Sequence, residues 1–299
     1  MQITLLGTSC MVPTKERNVA GIFLQYKSEG LLFDCGEGTQ RQMNITGIKR
    51  TAVTKILITH WHGDHVSGLL GLMQTKSNSE ENPRIDIWGP RDTKMRIEHL
   101  MKATIFSSKM DIRVYELDPK GVEMFYENED YYLECAPLEH GLPCIGYSFV
   151  SKDRRRIDTA HMKKMNVPDG PHLKKLSKGE SITYKGTEID VEKATYIVEG
   201  KKFTYVADTE FCPSAVDLAE NADVVVCEAT YESSKLDKAE GYKHMTAQQA
   251  GLLANQAGAK KLVLNHFSQR YKEPLPLIED ARTVFDNVVA GEDFMKIRL

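Results

Sequence analysis

Thr59-His60-Trp61-His62-Gly63-Asp64-His65 places three imidazoles and a carboxylate within six residues, directly after the apolar run Ile56-Leu57-Ile58. Imidazole nitrogen and carboxylate oxygen are the donors that suit Zn²⁺ and similar borderline cations. On an extended strand residues 60 and 62 share a face while 64 and 65 cannot both join them, so the chain must turn after His62. Gly63 is expected to supply the freedom for that turn. The turned loop lets His60 and His62 hold one ion while Asp64 and His65 hold another. Four further candidates stand at the ends of apolar runs: His140 after Leu138-Glu139, Asp208 after 203–207, Glu228 after 224–227 and His266 after 262–265. Each alone reads as a capping or surface group. Their repetition of one pattern, apolar strand and then His or acid, predicts a common rim, because strands that end together deliver such groups to one place.

Those groups need strands to carry them. Short apolar runs bounded by Gly, Pro or charge predict strands at 3–6, 21–24, 31–33, 56–59 and 85–88, and again at 145–150, 203–207, 224–227 and 262–264. Apolar residues at helical spacing predict helices over 95–101, 215–219 and 247–257. Strand and helix interleave in both halves, which is an α/β pattern. One stretch departs from it. Residues 152–185 hold few large apolar side chains, with Pro168 and a Gly170-Pro171 break, and read as an arm inserted into a single domain spanning 1–299.

The arm is basic. From 151 to 185 there are ten Lys/Arg and four Asp/Glu, a charge of +6, whereas the whole chain of 299 residues has 39 Lys+Arg and 42 Asp+Glu, a charge of −3, which leaves −9 elsewhere. A globally basic nucleic-acid coat is excluded, but a local basic segment suits phosphates. A solvated loop accounts for the charge equally well. With 41% hydrophobic and 27% charged residues the composition is that of a soluble globular chain. The six cysteines, at 10, 35, 135, 144, 212 and 227, form no close CxxC pair and are too sparse for a disulfide scaffold. A reducing, cytoplasmic location is expected. Residues 1–6 lack a basic leader and no stretch of about 18 apolar residues occurs, so neither export nor a membrane span is expected.

The run His60-Trp61-His62-Gly63-Asp64-His65 is similar to the HxHxDH signature of the metallo-β-lactamase superfamily, and His140, Asp208 and His266 follow in that superfamily's order. Within it the chain resembles the ribonuclease Z family of tRNA 3′-processing endonucleases over essentially its full length. Pro13-Thr14-Lys15-Glu16-Arg17-Asn18 is similar to that family's PxKxRN loop, Cys227-Glu228-Ala229-Thr230 to its HEAT motif and His244-Met245-Thr246 to its HST loop. The segment with Gly170-Pro171 resembles its tRNA-binding flexible arm. Two departures are visible: Cys227 replaces the first His of HEAT and Met245 the Ser of HST, so roles tied to those side chains are not carried over.

The resemblance implies a metallo-β-lactamase-like four-layer αβ/βα sandwich and a zinc-dependent endoribonuclease that removes the 3′ trailer from precursor tRNA, leaving a 3′-hydroxyl on the tRNA. It implies two Zn²⁺ per subunit, with His60, His62 and His140 on one, Asp64, His65 and His266 on the other, and Asp208 bridging them. Two cations about 3.5–4 Å apart can share a water, lower its pKa toward neutrality and clamp a phosphodiester oxygen during in-line attack. Asp64 is then the candidate to take the water proton. Glu228 and His244 are the candidates to protonate the departing 3′-oxygen, the carboxylate fixing the imidazole. Read alone, His244 after Gly241-Tyr242-Lys243 is a surface histidine.

Lys15, Arg17 and Asn18 lie by composition in an ordinary charged loop. By resemblance they meet the end of the acceptor stem, where the Arg17 guanidinium can fork onto phosphate or base edges. Arg154, Arg155, Arg156, Lys163 and Lys164, with Gly170 and Pro171, would grip the tRNA elbow by backbone shape. Ser268 and Arg270 are expected at the substrate phosphate, though Ser268 reads equally as a loop cap. Trp61 is expected to pack beneath the metal loop rather than stack on a base, and Cys35 and Cys212 to be small buried hydrophobes. An arm reaching beyond its own active site implies a homodimer in which one subunit grips and the other cuts. Two rivals remain: a hydrolase of the same fold acting on small nucleotides or a thioester, which explains the ligands but not the arm, and a silent RNA-binding relative, against which the complete ligand set speaks.

Overall fold

The computed structural model describes residues 1–78, 84–106 and 110–299. The chain divides into two units, one of Met1–Tyr126, Leu133–Phe149 and Lys202–Leu299, the other of Glu127–Tyr132 and Val150–Lys201. It opens with β1 (Gln2–Gly7), β2 (Gly21–Tyr26), β3 (Glu29–Phe33), β4 (Val53–Leu57), β5 (Ile85–Gly89) and β6 (Ile112–Glu116). Then come β7 (Glu123–Glu127), β8 (Tyr131–Glu139) and β9 (Pro143–Ser151). After the four short strands β10 (Arg154–Ile157), β11 (Ile182–Tyr184), β12 (Thr187–Ile189) and β13 (Thr195–Val198), the chain finishes with β14 (Lys202–Val206), β15 (Val224–Glu228), β16 (Leu262–Asn265), β17 (Val288–Ala290) and β18 (Lys296–Arg298).

Two seven-stranded sheets result, ordered β18-β1-β2-β3-β4-β5-β6 and β17-β16-β15-β14-β9-β8-β7. Their inner faces meet through aromatics: the Phe33 ring stands edge-on to Tyr147, Phe203 and Tyr205 at centroid distances of 6.3, 5.5 and 6.3 Å. The outer face of the first sheet is covered by the helices Leu69–Ser77 and Thr93–Lys102, whose Leu69, Leu72, Met73 and Ile97 join Ile56, Ile58, Ile85 and Ile87 in one buried cluster. The helix Ala247–Gln256 covers the second sheet and buries Ala247, Ala250, Leu253 and Ala254. With both faces covered, β5 and β15 are buried at every residue, and in β15 this shows as the continuous apolar run 224–227 rather than an alternation. The architecture is the expected α/β sandwich.

Strand direction is what positions the site. β3, β4 and β5 run parallel, as do β14, β15 and β16, so their C-terminal ends lie side by side. Val206 pairs with Cys227, and Glu228 with Asn265. The residues that follow, Asp208, Glu228 itself and His266, therefore emerge on one edge, where open α/β sheets place their ligands.

The second unit has its own core of Met162, Val167, Leu173, Leu176, Ile182, Ile189, Val191 and Ala194. The apolar residues of 152–185 come singly among charges, a spacing that conceals a core from periodicity. The unit also runs past Lys185: β13 returns to pair with β10, Arg154 opposite Val198 and Ile157 opposite Thr195. Its helix Thr159–Lys164 is capped by Asp158, whose Oδ1 accepts from the amides of Ala160 and His161. Over 150–201 there are twelve Lys/Arg and eight Asp/Glu, so the added stretch dilutes the arm's +6 to +4.

Candidate metal centre

The turn after His62 is a single helical turn, Gly63–Val66, entered from His62 at φ −72° and ψ 151°. Gly63 does not supply unusual freedom: a Cβ there would meet only the Ser67 Oγ, at 3.5 Å. The glycines that matter lie around the loop. A Cβ on Gly36 would stand 2.1 Å from the Asp64 carbonyl and one on Gly68 2.2 Å from that of Gly36, so only glycine permits this close approach of backbones.

Four donors, from His60, His62, His140 and Asp208, lie within 4.8 Å of one another, and so do those of Asp64, His65 and His266. Ring nitrogens face ring nitrogens. The His62 Nδ1 is 3.0 Å from the His60 Nε2 and 3.2 Å from the His140 Nε2, while the Nε2 atoms of His65 and His266 are 3.4 Å apart. Asp208 spans the two groups: its Oδ2 lies 3.7 and 3.6 Å from the Nε2 of His60 and His140, its Oδ1 3.4 and 3.3 Å from that of His65 and His266. Buried at 2% exposure, Oδ1 finds no hydrogen-bond partner among the described residues.

The buried charges of the cluster act on one another. Burial pushes the His60 pKa well below its usual value, with His65 adding repulsion. Burial would do the same to His65 and His266, yet Asp208 and its neighbouring carboxylates hold both well above it. Burial would raise the Asp208 pKa, but the facing imidazoles keep it well below the usual carboxylate range. Paired buried carboxylates thus demand positive charge at their centre, from protonated imidazoles or from cations that displace those protons. The donor set fits divalent cations held by nitrogen and oxygen.

The outer nitrogens are held in turn. His65 Nδ1 is 2.7 Å from Asp34 Oδ2, His140 Nδ1 is 2.8 Å from the Lys243 carbonyl, His60 Nδ1 is 3.0 Å from Thr59 Oγ1, and His266 Nδ1 is 3.2 Å from Thr230 Oγ1. Such partners fix ring orientation and tautomer. Asp34 also accepts from the Thr59 amide and hydroxyl and from the Tyr205 hydroxyl, all within the core. Asp34 is not among the candidates of the sequence pattern above, although it too follows an apolar strand. Asp34, Met11, Lys243 and His266 all take positive φ, between 56° and 65°. Strained backbone of this kind gathers at functional sites. From Met11 the amide donates to the Asp64 Oδ2 at 2.8 Å.

His244 stands beside this cluster, its Nδ1 2.9 Å from the Oε1 of Glu228. Glu228 is buried and also accepts from the Thr209 amide and the Thr230 hydroxyl, both at 2.7 Å, so the carboxylate is fixed before it meets the imidazole. Burial lowers the His244 pKa, but Glu228 more than reverses this and leaves it above its usual value. The centre opens onto a cavity of about 630 Å³ lined by His62, Asp64, His140, Asp208, His244, His266 and Arg270 among others.

The chain can now be set beside known proteins. It is 36% identical to the ribonuclease Z of Acaryochloris marina, covering 100% of this chain and 98% of that one. To the ribonuclease Z of Methanothermobacter thermautotrophicus it is 37% identical, over 100% of this chain and 97% of that one. The chain belongs to the ribonuclease Z family. A family model described as Anti-Pycsar protein Apyc1 also matches residues 1–283, which places the chain in that family as well. Among solved structures, human tRNase Z, short form, superposes with a TM-score of 0.73 at 28% identity, covering 100% of this chain and 99% of that one. The Bacillus subtilis metallo-β-lactamase fold protein YhfI gives 0.70 at 19% identity, which shows the fold.

Both departures from the ribonuclease Z motifs lie in the core: Cys227 and Met245 are fully buried, so each fills space instead of facing the cavity. The substrate-binding expectations fare unevenly. The Arg17 guanidinium does fork, but onto the carbonyls of Tyr271 and Lys272 at 2.6 and 3.0 Å, and it lies over the Phe267 ring. In this structure it braces its own loop, as does Asn18, whose amide side chain donates to the Glu37 carbonyl. Lys15 is exposed. Arg155 is engaged within the second unit by Thr195 and Glu192, whereas Arg156 is exposed. Ser268 and Arg270 line the cavity, with Arg270 donating to the Ser268 Oγ and stacked over Tyr231. Gly170, Pro171, Lys163 and Lys164 belong to the second unit. Trp61 packs on the first sheet's cluster and donates to Thr93, and Cys35 and Cys212 are buried.

Proposed function

We propose that this chain is a metal-dependent endoribonuclease that removes the 3′ trailer from precursor tRNA, leaving a 3′-hydroxyl on the tRNA. The observation that carries this reading is the split of one buried carboxylate, Asp208, between two groups of imidazoles, beside a separately held His244–Glu228 pair. Full-length similarity to ribonuclease Z supports the substrate. In this reading His60, His62, His140 and Asp208 hold one Zn²⁺, and Asp64, His65, His266 and Asp208 the other. Bound there, the two cations would acidify a water and stabilise charge on the phosphodiester. The protein's own work is positional. Asp64, fixed by the Met11 amide, accepts the proton of the attacking water. His244, kept protonated by Glu228, gives a proton to the leaving 3′-oxygen. Incubation with a 3′-extended pre-tRNA and mapping of both product ends tests the reading, and an intact substrate would refute it.

Asp34 supplies a test of the centre itself. Asp34→Ala removes the acceptor that orients His65, and zinc affinity measured by chelator competition is expected to fall about 10- to 100-fold. Wild-type protein, stripped and reloaded, should bind two equivalents by elemental analysis, and a single equivalent would remove the second ion from the reading.

Recognition of the tRNA body is assigned to the second unit. Its buried core makes deletion of 152–178 uninformative, because that would strip Met162, Val167, Leu173 and Leu176 from the residues they pack on. Neutralising Arg154, Arg156, Lys163 and Lys164 together leaves that core in place. The change is expected to raise KM for pre-tRNA by at least about tenfold and to flatten the dependence of affinity on salt. Any loss with a small chromogenic phosphodiester should be far smaller. Equal losses would favour the rival reading, a hydrolase of small phosphodiesters. The homodimer expected from the sequence, one subunit gripping and the other cutting, belongs to this proposal, and light scattering tests it. A cytoplasmic location fits the six free cysteines and a tRNA substrate; among the described residues no helix is long and apolar enough to cross a membrane.

A further inference from the structure

Tyr242 is 66% exposed although it lines the cavity of the metal centre. A ring so largely open to water at the mouth of this cavity presents a face that a ligand can cover. It closes the helix Leu236–Tyr242, and the chain then turns through Lys243 at φ 58° to deliver His244, two residues on. Lys238 lies four residues before Tyr242, hence on the same helical face one turn away, and it lines the same cavity. Ala239 is the buried residue of that helix. One short helix thus presents an aromatic surface and a cation side by side, next to the imidazole assigned to the leaving oxygen. A nucleotide offers the matching pair, a flat base and a phosphate.

We propose that Tyr242 is the stacking platform for the base of the nucleotide whose 3′-oxygen leaves, and that Lys238 meets that nucleotide's own 5′-phosphate. This rests on the trailer-removing reading above and deepens it by naming what holds the last retained nucleotide in place. Because every base has a π-face, the platform recognises the presence of a base rather than its identity. His244 protonates an oxygen on that same nucleotide, so holding its base limits the swing of the ribose away from the imidazole.

The test compares pre-tRNA carrying a normal last retained nucleotide with pre-tRNA carrying an abasic one there. Wild-type enzyme is expected to prefer the base by roughly 5- to 150-fold in kcat/KM, which is about 1–3 kcal/mol at 1.4 kcal/mol per tenfold. In Tyr242→Ala that preference should fall toward one, while Tyr242→Phe should keep it, since the ring and not the hydroxyl does the stacking. Lys238→Gln should raise KM for both substrates and leave the preference in place. A Tyr242→Ala enzyme that retains the wild-type preference, or a wild-type enzyme that cuts both substrates equally, would overturn the assignment. A wild-type enzyme that leaves both uncut would bring down the trailer-removing reading, and the assignment with it.

Discussion

Replacing Asp64 by Ala is expected to cut the rate of pre-tRNA cleavage by at least about 10⁴-fold. Binding of the tRNA, followed by mobility shift, should stay within about threefold of wild type. The carboxylate has two duties that no neighbour can take over. Its Oδ2 is held by the Met11 amide at 2.8 Å and lies 3.4 Å from the His266 Nε2, so it both completes the second donor group and stands ready to accept a proton. The surrounding imidazoles outweigh its burial and keep its pKa below the usual carboxylate range, so the group is anionic at neutral pH and available as ligand and acceptor. Its removal also leaves the Met11 amide without that acceptor, at a residue already held at φ 65°. Asp64→Asn separates the two duties, since it retains an oxygen donor but cannot take a proton. It should keep more metal than Asp64→Ala and be nearly as slow. Cleavage by Asp64→Ala close to the wild-type rate would take this residue out of the mechanism.

How much of this site could be read from the chain depended on whether a signal was local. The 60–65 run announced itself because its donors are adjacent, and Asp208, Glu228 and His266 because each ends or follows a buried parallel strand rich in apolar residues. Asp34 has the same grammar after Leu31-Leu32-Phe33 and could have been found by it. Thr230 and the Lys243 carbonyl could not, since their roles exist only once distant segments meet: the hydrogen bond from His140 to Lys243 spans 103 residues. Strands β6, β7 and β8 were missed for another reason. β6 and β7 are largely exposed, and β8 alternates buried with half-buried positions, so their apolar residues are few and interrupted or flanked by charge. The second unit hid its core by spacing. Arg17 shows the opposite limit: by composition it lies in an ordinary charged loop, only the resemblance gives it a substrate, and in the fold its guanidinium rests on two carbonyls.

His244→Ala should separate substrates by their leaving groups. A ribose 3′-oxygen leaves as a strongly basic alkoxide unless it is protonated, whereas p-nitrophenolate leaves without help. The variant is therefore expected to lose roughly 10²- to 10⁴-fold in kcat on pre-tRNA and far less on methyl p-nitrophenyl phosphate. The pH dependence follows from the same geometry. The proton donor is the imidazolium, and Glu228, 2.9 Å away, holds its pKa above the usual histidine value, so activity on pre-tRNA is present below that pKa and declines as pH rises through it. Glu228→Gln removes the charge but keeps a group of the same shape between Thr209, Thr230 and the imidazole. The pKa should then drop, and the decline on pre-tRNA should begin at lower pH, while no such limb should govern the p-nitrophenyl ester. Equal losses on both substrates would show that His244 shapes the centre instead of donating a proton. An unmoved alkaline limb in Glu228→Gln would mean that the carboxylate steers the ring without setting its charge.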